Sequence, residues 1–329
     1  MQRSGERFRI NAQLADTSSN AQLWSDSFQG DTSDLFALQD QVTGRIANTM
    51  DHELVLVAAR ESERRKDAPQ ATDLILRARA LADKPHSLDK WQQVEALYRQ
   101  ALVIDPGNVN AMMGLATALS FQPIHFGSKV SSEARERTWT EAVALATKVH
   151  AIDPDNPEYF RVIAFNALAH DDIEGARRAA QTWLSLAPRM PDPYNVLSNT
   201  YTRAGEPGKA IELLTQAIGL DRKNANAVFP ANLAQAYFMS GDNKAAIVWN
   251  LKALEREPRL LRAHIGLAMA YALDGDDARA HAEAAEVRRL NPGVKFDLQR
   301  MRAGSDPPAY KAILEERMIP GLRKAGLID

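Results

Sequence analysis

The tripeptides Ile152-Asp153-Pro154 and Leu186-Ala187-Pro188 end two amphipathic stretches that lie 34 residues apart. Similar segments continue the series on both sides, at Ile104-Asp105-Pro106, Leu220-Asp221-Arg222, Arg256-Glu257-Pro258 and Leu290-Asn291-Pro292. Their third residues are separated by 48, 34, 34, 36 and 34 residues, and a period of 34 is typical of a unit of two helices joined by a turn. The series predicts a mainly α array of stacked helix pairs, an architecture that usually binds and seldom catalyses.

Small residues recur at fixed positions inside each interval. Ala176, Ala180 and Trp183 of one predicted second helix have the same offsets as Ala210, Leu214 and Ala217 of the next. An alanine lets two helices approach closely, and a large neighbour fills the space beside it. Aromatic residues on second helices or at one repeat offset are therefore predicted to pack in the core rather than to stack on a ligand: Trp91, Trp139, Trp183, Trp249, Tyr201, Tyr237 and Tyr271.

A turn signal separates the two helices of each unit, at His170-Asp171-Asp172, Ala204-Gly205-Glu206, Ser240-Gly241-Asp242 and Asp274-Gly275-Asp276. Glycine can adopt the left-handed conformation that ends the first helix, and the acidic residue can cap the second. The acidic cluster at Asp274 could also be read as a metal site. A calcium loop from Asp274 would need glycine and glutamate where Arg279 and Ala285 stand, so we interpret these acids as caps.

These positions resemble the tetratricopeptide repeat over roughly residues 71–292, and the resemblance implies an α-solenoid. Six units are expected, at about 71–106, 109–154, 157–188, 191–224, 227–258 and 261–292. The second unit exceeds the period, and its surplus falls at 122–135, which contains Pro123, Gly127 and three serines. We expect this insertion to be a loop, either functional or simply mobile.

The first 66 residues follow another period. Residues 7–14 alternate polar with apolar side chains, residues 21–28 do so less cleanly, and the turn residues 16–20 separate them. This pattern predicts a β-hairpin. A long helix should follow from Asp34 toward Arg65, with Ser33 or Asp34 as its cap. An isolated hairpin is marginal in water, so residues 1–66 are interpreted as part of a larger α/β domain.

The segments Arg9-Ile10-Asn11-Ala12-Gln13-Leu14, Leu23-Trp24-Ser25 and Asp34-Leu35-Phe36-Ala37-Leu38 resemble the end of the TolB-like α/β domain that precedes tetratricopeptide repeats in bacterial proteins. The terminal Gly321-Leu322-Arg323-Lys324 resembles the tail of the versions associated with adenylate or guanylate cyclases. The resemblance implies an upstream cyclase, winged-helix or kinase domain outside this sequence, and makes the chain either a truncated relative or a carboxy-terminal fragment.

Composition sets limits on function. A net charge of −2 argues against a nucleic-acid partner, and the absence of cysteine excludes disulfides and cysteine-ligated zinc. The sequence has no apolar run of membrane-spanning length and no signal-peptide core, which predicts no direct membrane insertion. We expect a cytoplasmic location, or a periplasmic one if a membrane span precedes Met1.

The sequence lacks the common catalytic motifs, which predicts that the chain is not an enzyme and has no cofactor. It contains no glycine-rich phosphate loop that ends in Gly-Lys-Ser/Thr. The seven histidines are scattered, and none forms the His-Glu-x-x-His pair that would place two zinc ligands on one helical face. A triad assembled from distant residues stays open, because such sites are recognised by geometry.

The expected partner is a protein or peptide bound in the concave groove that first helices line in tetratricopeptide arrays. Asn195 and Asn199 share a helical face and Gln235 occupies the place of Asn199 in the next unit, which suits hydrogen bonding to an extended peptide. Members that clamp a terminal carboxylate use lysines absent here, although Arg161 and Arg262 could attract an acidic ligand. The candidate residues are Asn110, Met113, Thr117, Arg161, Phe165, Asn195, Asn199, Gln235, Arg262, Ile265 and Met269.

After Pro292 the repeat pattern fades, and residues 293–329 are expected to form a capping segment with a helix from Ala309 to Ala325. The sequence thus predicts an interaction scaffold, and the resemblance implies that it is the regulatory or sensory arm of a larger bacterial signalling protein. Two alternatives stay open at this point. The chain could belong to a nucleotide cyclase whose catalytic part lies elsewhere, or it could be an envelope-associated scaffold.

Overall fold

The computed structural model describes residues 2–4, 7–15, 22–31, 55–59, 69–82, 87–126, 131–220, 226–303 and 307–329 of the chain. The chain divides into two compact units, Met1–Val162 and Ile163–Asp329. The boundary falls inside one helix, Pro157–Ala169. Each unit has a buried apolar core of its own.

Three antiparallel strands open the first unit in the order β1 (Gln2–Ser4), β2 (Arg7–Ala15) and β3 (Gln22–Asp31). Along β2, Ile10 is less exposed than its neighbours Arg9 and Asn11, as expected for alternation across a strand. The predicted hairpin is confirmed, and β1 adds a third strand to it. The helix predicted from Asp34 to Arg65 lies outside the described residues except for 55–59, which are helical.

Four whole helices and the start of a fifth follow in this unit: α1 (Ala71–Ala82), α2 (Leu88–Ile104), α3 (Val109–Phe126), α4 (Ser132–Ile152) and α5 (Pro157–Ala169). Helices α1, α2 and α3 each pack against the next one along the chain. Alanines such as Ala101 and Ala146 are fully buried between helices. A methyl group on Gly114 would lie 2.3 Å from the Tyr98 ring, so α3 can approach α2 only because that position is glycine.

The predicted loop at 122–135 is wrong, because most of its residues lengthen two helices. α3 runs through Pro123 to Phe126, and α4 begins at Ser132, capped by Ser131; residues 127–130 lie outside the described part. An interior proline weakens a helix, but tertiary contacts can hold it. Here Phe121 stacks on Trp91 with ring centroids 4.1 Å apart, and Gln122 Nε2 donates to Glu95 at 2.9 Å.

The second unit continues the pattern of paired helices. Its first helices are α7 (Pro191–Arg203), α9 (Val228–Ser240) and α11 (Leu261–Asp274). Its second helices are α6 (Ile173–Leu186), α8 (Pro207–Leu220), α10 (Asn243–Arg256) and α12 (Asp277–Leu290). The repeated small positions of the second helices are confirmed as the packing surface, since these alanines have no solvent exposure: Ala176, Ala180, Ala210, Ala217, Ala246, Ala253, Ala280 and Ala284.

The inter-helix turns have the predicted chemistry except at Glu206, whose carboxylate pairs with Lys209 Nζ at 2.5 Å. Gly205, Gly241 and Gly275 adopt left-handed φ values of 77°, 99° and 89°. Asp171 occupies the same place with φ 59°, a conformation that aspartate tolerates better than most residues. The acids that follow cap the second helices through backbone N–H groups: Asp172 to Gly175 at 2.8 Å, Asp242 to Ala245 at 2.9 Å and Asp276 to Arg279 at 3.0 Å.

The chain ends in α13 (Leu298–Ala303) and a longer helical segment, residues 308–324, which we call the terminal helix. It comprises α14 (Pro308–Ile313), a π-helical turn (Leu314–Met318) and α15 (Ile319–Lys324). Leu314, Ile319 and Leu322 are almost completely buried.

The terminal helix reaches three consecutive inter-helix turns. A methyl group on Gly205 would lie 2.5 Å from the Tyr310 backbone nitrogen, Arg317 Nε donates to the Phe238 carbonyl at 2.7 Å, and Lys324 Nζ lies 3.5 Å from Asp277 Oδ1. The sequence led us to expect a cover for the last repeat alone. The contacts instead extend back to the turn between α7 and α8.

Candidate functional site

A chain of polar side chains crosses the three first helices of the second unit. Arg262 of α11 donates from Nη1 to Asn232 Oδ1 at 2.9 Å, and Asn232 of α9 donates from Nδ2 to Asn195 Oδ1 of α7 at 2.8 Å. We call Asn195, Asn232 and Arg262 the amide ladder. One side chain from each of three successive repeats therefore meets its neighbour directly.

The direction of the ladder is fixed by chemistry. Arginine can only donate hydrogen bonds, so Asn232 must face it with its carbonyl oxygen and turn its NH₂ group toward Asn195. Asn195 accepts that bond with its own carbonyl oxygen, which leaves its NH₂ group unused. The unused hydrogen-bonding groups at the two ends, on Arg262 and on Asn195, are therefore donors.

Arg262 combines exposure with a protein-rich surrounding. More than a third of its surface is accessible to solvent, yet desolvation by the surrounding protein lowers the pKa of its guanidinium, against a weaker opposing effect of Glu257. These two observations agree if the group lies in a depression of the surface, where water reaches it from one side only. Among the described residues Arg262 forms no ion pair, and its one hydrogen-bond partner is the Asn232 amide.

Two further predicted amides lie on the same helices. Asn199 is one turn beyond Asn195 on α7 and is partly exposed, while Gln235 on α9 is exposed. Neither side chain has a hydrogen-bond partner among the described residues, so both can bond to a ligand backbone.

The apolar candidates Ile265 and Met269 are brought together, but the terminal helix covers them. Met269 has 8% of its surface exposed and lies in one cluster with Phe238 and Leu322, against which Ile265 also packs. A methyl group on Gly321 would lie 3.1 Å from Met269 Cβ. The predicted role of Met269 in partner binding is therefore not supported by its position, because the chain's own end occupies that surface.

The candidates of the first unit form a separate and already neutralised group. Arg161 Nη2 lies 2.6 Å from Glu158 Oε2 and donates to Thr117 Oγ1 at 2.6 Å. Asn110 is exposed, whereas Met113 is buried with 5% exposure. Arg161 thus forms an ion pair with Glu158, whereas Arg262 forms no ion pair with a described residue. The remaining candidate, Phe165 in the second unit, makes an edge contact with the Trp183 ring at 6.2 Å between centroids.

Asn232 was not among the predicted site residues. It does not occupy the repeat offset of Asn195, because it lies 37 residues after Asn195 whereas the interval between their units is 36. A signal was present in the sequence, since Asn232 is the one strongly polar residue between Phe229 and Ala234 of an otherwise apolar helix. A buried polar residue needs a partner, which here comes from both neighbouring repeats.

The described residues contain neither a metal-binding cluster nor a membrane-spanning helix. No group of three or more histidine, aspartate or glutamate side chains is placed to hold a metal ion. The helices of this part of the chain are each too short or too polar to cross a bilayer.

Comparison with known proteins identifies one repeat of the chain and relates its fold to a solved structure. Residues 191–224, which form α7, α8 and their turn, match the tetratricopeptide repeat. The paired helices therefore have the fold of a tetratricopeptide-repeat solenoid. The same architecture occurs in the crystal structure of the Cut9–Hcn1 hetero-tetramer of the APC/C, with a TM-score of 0.60 over 85% of this chain and 49% of that one. At 16% sequence identity, this likeness shows a shared tetratricopeptide fold alone.

One curated relative is similar to part of this chain. "Putative adenylate cyclase 3" of Rhizobium meliloti (strain 1021) is 32% identical over 162 residues. The match spans 48% of this chain but 26% of the relative, so about three quarters of that protein has no counterpart in the match.

Proposed function

We propose that this chain is a non-enzymatic interaction module that binds a partner polypeptide on the first-helix face of the second unit. The observation that carries the proposal is the amide ladder with the neighbouring free amides of Asn199 and Gln235. Such groups satisfy the backbone of an extended peptide, and they come from helices that the array holds in fixed register. Packing of the repeated small residues on second helices explains the fold, whereas nothing in that packing requires the amides of Asn199 and Gln235.

Site-specific photo-crosslinking tests the proposal. A photoreactive amino acid at Gln235 on α9 should give a discrete adduct with a partner in the source cells. The matched control is Glu212, which is exposed on the second helix α8. Adducts of equal yield from both positions, or none from Gln235, would contradict a partner site on the first-helix face.

We further propose that the interaction serves a larger bacterial signalling protein, with residues 1–66 as part of a TolB-like domain, 67–292 as the repeats and 293–329 as the terminal segment. The partial match to a protein named as an adenylate cyclase supports this context. Immunoblotting source cells for the repeats measures the size of the native product, and a band near 36 kDa would contradict it.

The alternative function is cyclase activity in the chain itself, which the name of the relative brings forward. Incubation of purified chain with ATP or GTP and a divalent metal should give no cyclic nucleotide. Its formation would replace the interaction proposal. Cell fractionation separates the cytoplasmic location that we propose from an envelope-associated scaffold.

A further inference from the structure

The ladder offers N–H donors at both of its ends. Arg262 and Asn195 have unused N–H groups at the two ends, and the Asn232 carbonyl and NH₂ groups between them are consumed. A neutral, donor-and-acceptor surface would accept any peptide backbone. Donors at both ends of the ladder, one of them on a cation, are complementary to carbonyl oxygens and, more strongly, to carboxylates.

Two carboxylates of the neighbouring helix α12 are engaged elsewhere, and Glu257 is exposed to water. Glu283 Oε2 accepts from His264 Nδ1 at 2.6 Å, and Glu286 pairs with Arg289 at 2.5 Å. Glu257 is exposed at the end of α10. Helix α9 contributes no charged residue, and α11 contributes none between Arg262 and Asp274. The positive charge of Arg262 is therefore not balanced by a contact within the described part of the chain.

Arg161 shows that this is not a general property of first-helix arginines in the protein. Its guanidinium contacts Glu158 at 2.6 Å, which neutralises it inside the first unit. The two arginines were equivalent candidates in the sequence. The structure distinguishes them by the presence of a carboxylate on one and an amide on the other.

We propose that the amide ladder binds an aspartate or glutamate side chain of an extended partner peptide at Arg262, with a backbone carbonyl of the same peptide at Asn195. This inference rests on the proposed function and specifies the chemistry of its partner. The Asn232 amide stands between the two donor ends, so the proposal assigns a separate acceptor to each end. An internal acidic residue followed by extended backbone fits both ends, and Asn199 and Gln235 can bind the next peptide groups.

A peptide array tests the inference with the full chain. The array holds ten-residue acidic peptides, acetylated and amidated at their ends, each paired with a twin in which Asp is replaced by Asn and Glu by Gln. Affinities of retained pairs are then measured by fluorescence anisotropy. We expect acidic members to bind about 10- to 100-fold more tightly than their twins, the range for a charge-assisted contact. The preference should decrease as ionic strength rises.

Arg262→Gln is the decisive variant and Arg161→Gln is its matched control. Arg262→Gln should bring each acidic peptide to the affinity of its twin, whereas Arg161→Gln should leave the preference unchanged because Glu158 already neutralises that arginine. Circular dichroism and the unfolding midpoint of both variants verify folding, and Arg262→Lys, which keeps the charge, should retain part of the preference.

The outcomes separate the two proposals. Binding of acidic peptides and twins with equal affinity would overturn the acidic partner while leaving an interaction module. A preference that is lost in Arg161→Gln but kept in Arg262→Gln would place the acid site elsewhere and overturn the inference. A requirement for a free peptide carboxy-terminus would replace the internal acid with a terminal one. Failure to retain any peptide would contradict both the inference and the peptide mode of the proposed function.

Discussion

The two ends of the first helices in the second unit have different surroundings. At their carboxy-terminal ends, Phe238 and Met269 are covered by the terminal helix. Toward their amino-terminal ends, Asn195 and Arg262 stay accessible and are joined by Asn232. The covered end is apolar and satisfied within the chain. The ladder end is polar and has unused donors.

The contrast between the covered end and the ladder end shows that burial alone does not mark the functional face of a repeat array. Both ends were candidates, since Ile265 and Met269 share helix α11 with Arg262. The apolar end would be the usual choice for a binding groove. Here the chain's own terminal helix already fills that role, and the remaining free surface favours a partner with hydrogen-bond acceptors.

The largest effect is expected when the covered end is broken. Leu322 is 1% exposed and packs with Phe238 and Met269, so Leu322→Ala should lower the free energy of unfolding by about 2–5 kcal/mol. Urea unfolding measures it. The control Leu251→Ala, at a position with 43% exposure on α10, should change stability far less. Equal losses would mean that the terminal helix is not tightly packed.

Two turn glycines separate backbone strain from contact with the terminal helix. Both Gly205 and Gly275 have left-handed φ, so alanine costs each about 1–2 kcal/mol of stability. A methyl group at Gly205 would also collide with the Tyr310 backbone. A methyl group at Gly275 would have no heavy atom within 4 Å. Gly205→Ala should therefore lower the unfolding midpoint more than Gly275→Ala.

The control for this pair is Gly208, whose methyl group would also meet nothing within 4 Å and which lies in helix α8 without a left-handed φ. Gly208→Ala should keep or slightly raise stability. Equal midpoints for Gly205→Ala and Gly275→Ala would show that the terminal helix yields at this turn without cost.

Breaking the ladder should cost less stability than breaking the covered end. Asn232→Ala removes two hydrogen bonds, but Arg262 and Asn195 can then bond to water, so the expected loss is about 1 kcal/mol. The same variant should weaken acidic peptide binding, since Arg262 loses the group that orients it. A loss as large as that of Leu322→Ala would identify the ladder as a structural element instead.

The smallest expected effect is a pH dependence at the covered end. Burial raises the pKa of the Tyr310 phenol, against a weaker opposing effect of Arg203. Because the folded-state pKa lies above the unfolded value, the contribution of this residue is present below about pH 10 and is lost as pH rises through the folded pKa. Alkaline destabilisation should be smaller in Tyr310→Phe, and identical pH profiles would contradict the burial of the phenol.

The repeats could be predicted in detail because each of their signals is local. Gly241 and Asp242 predicted a turn and a cap from two adjacent residues, and Trp183 was expected in the core from its repeat offset. The structure has Gly241 left-handed, Asp242 as the cap and Trp183 with no exposure. Such features depend on neighbours fixed by the period, so one correct assignment supports the others.

The features that periodicity does not encode were missed. Helix α3 continues through Pro123, where Phe121 stacks on Trp91. The local sequence around a proline does not reveal such a tertiary contact. The position of the terminal helix depends on close approach to Gly205, about a hundred residues earlier in the sequence. Asn232 bonds to Arg262 and Asn195 on two other helices. Its position as a polar residue in an apolar helix indicated that it needs a partner, but did not indicate which residues those partners are.

The terminal helix also has a thermodynamic consequence for the second unit. In an array of repeats each unit contacts only its neighbours, and stability is then a sum of intrinsic and nearest-neighbour terms that allows one end to unfold before the other. A helix with contacts at Gly205, Phe238 and Asp277 adds a coupling across three repeats at once. Local opening of any of these repeats breaks the shared coupling, so amide hydrogen exchange in α7, α9 and α11 should follow one cooperative opening rather than a gradient along the array.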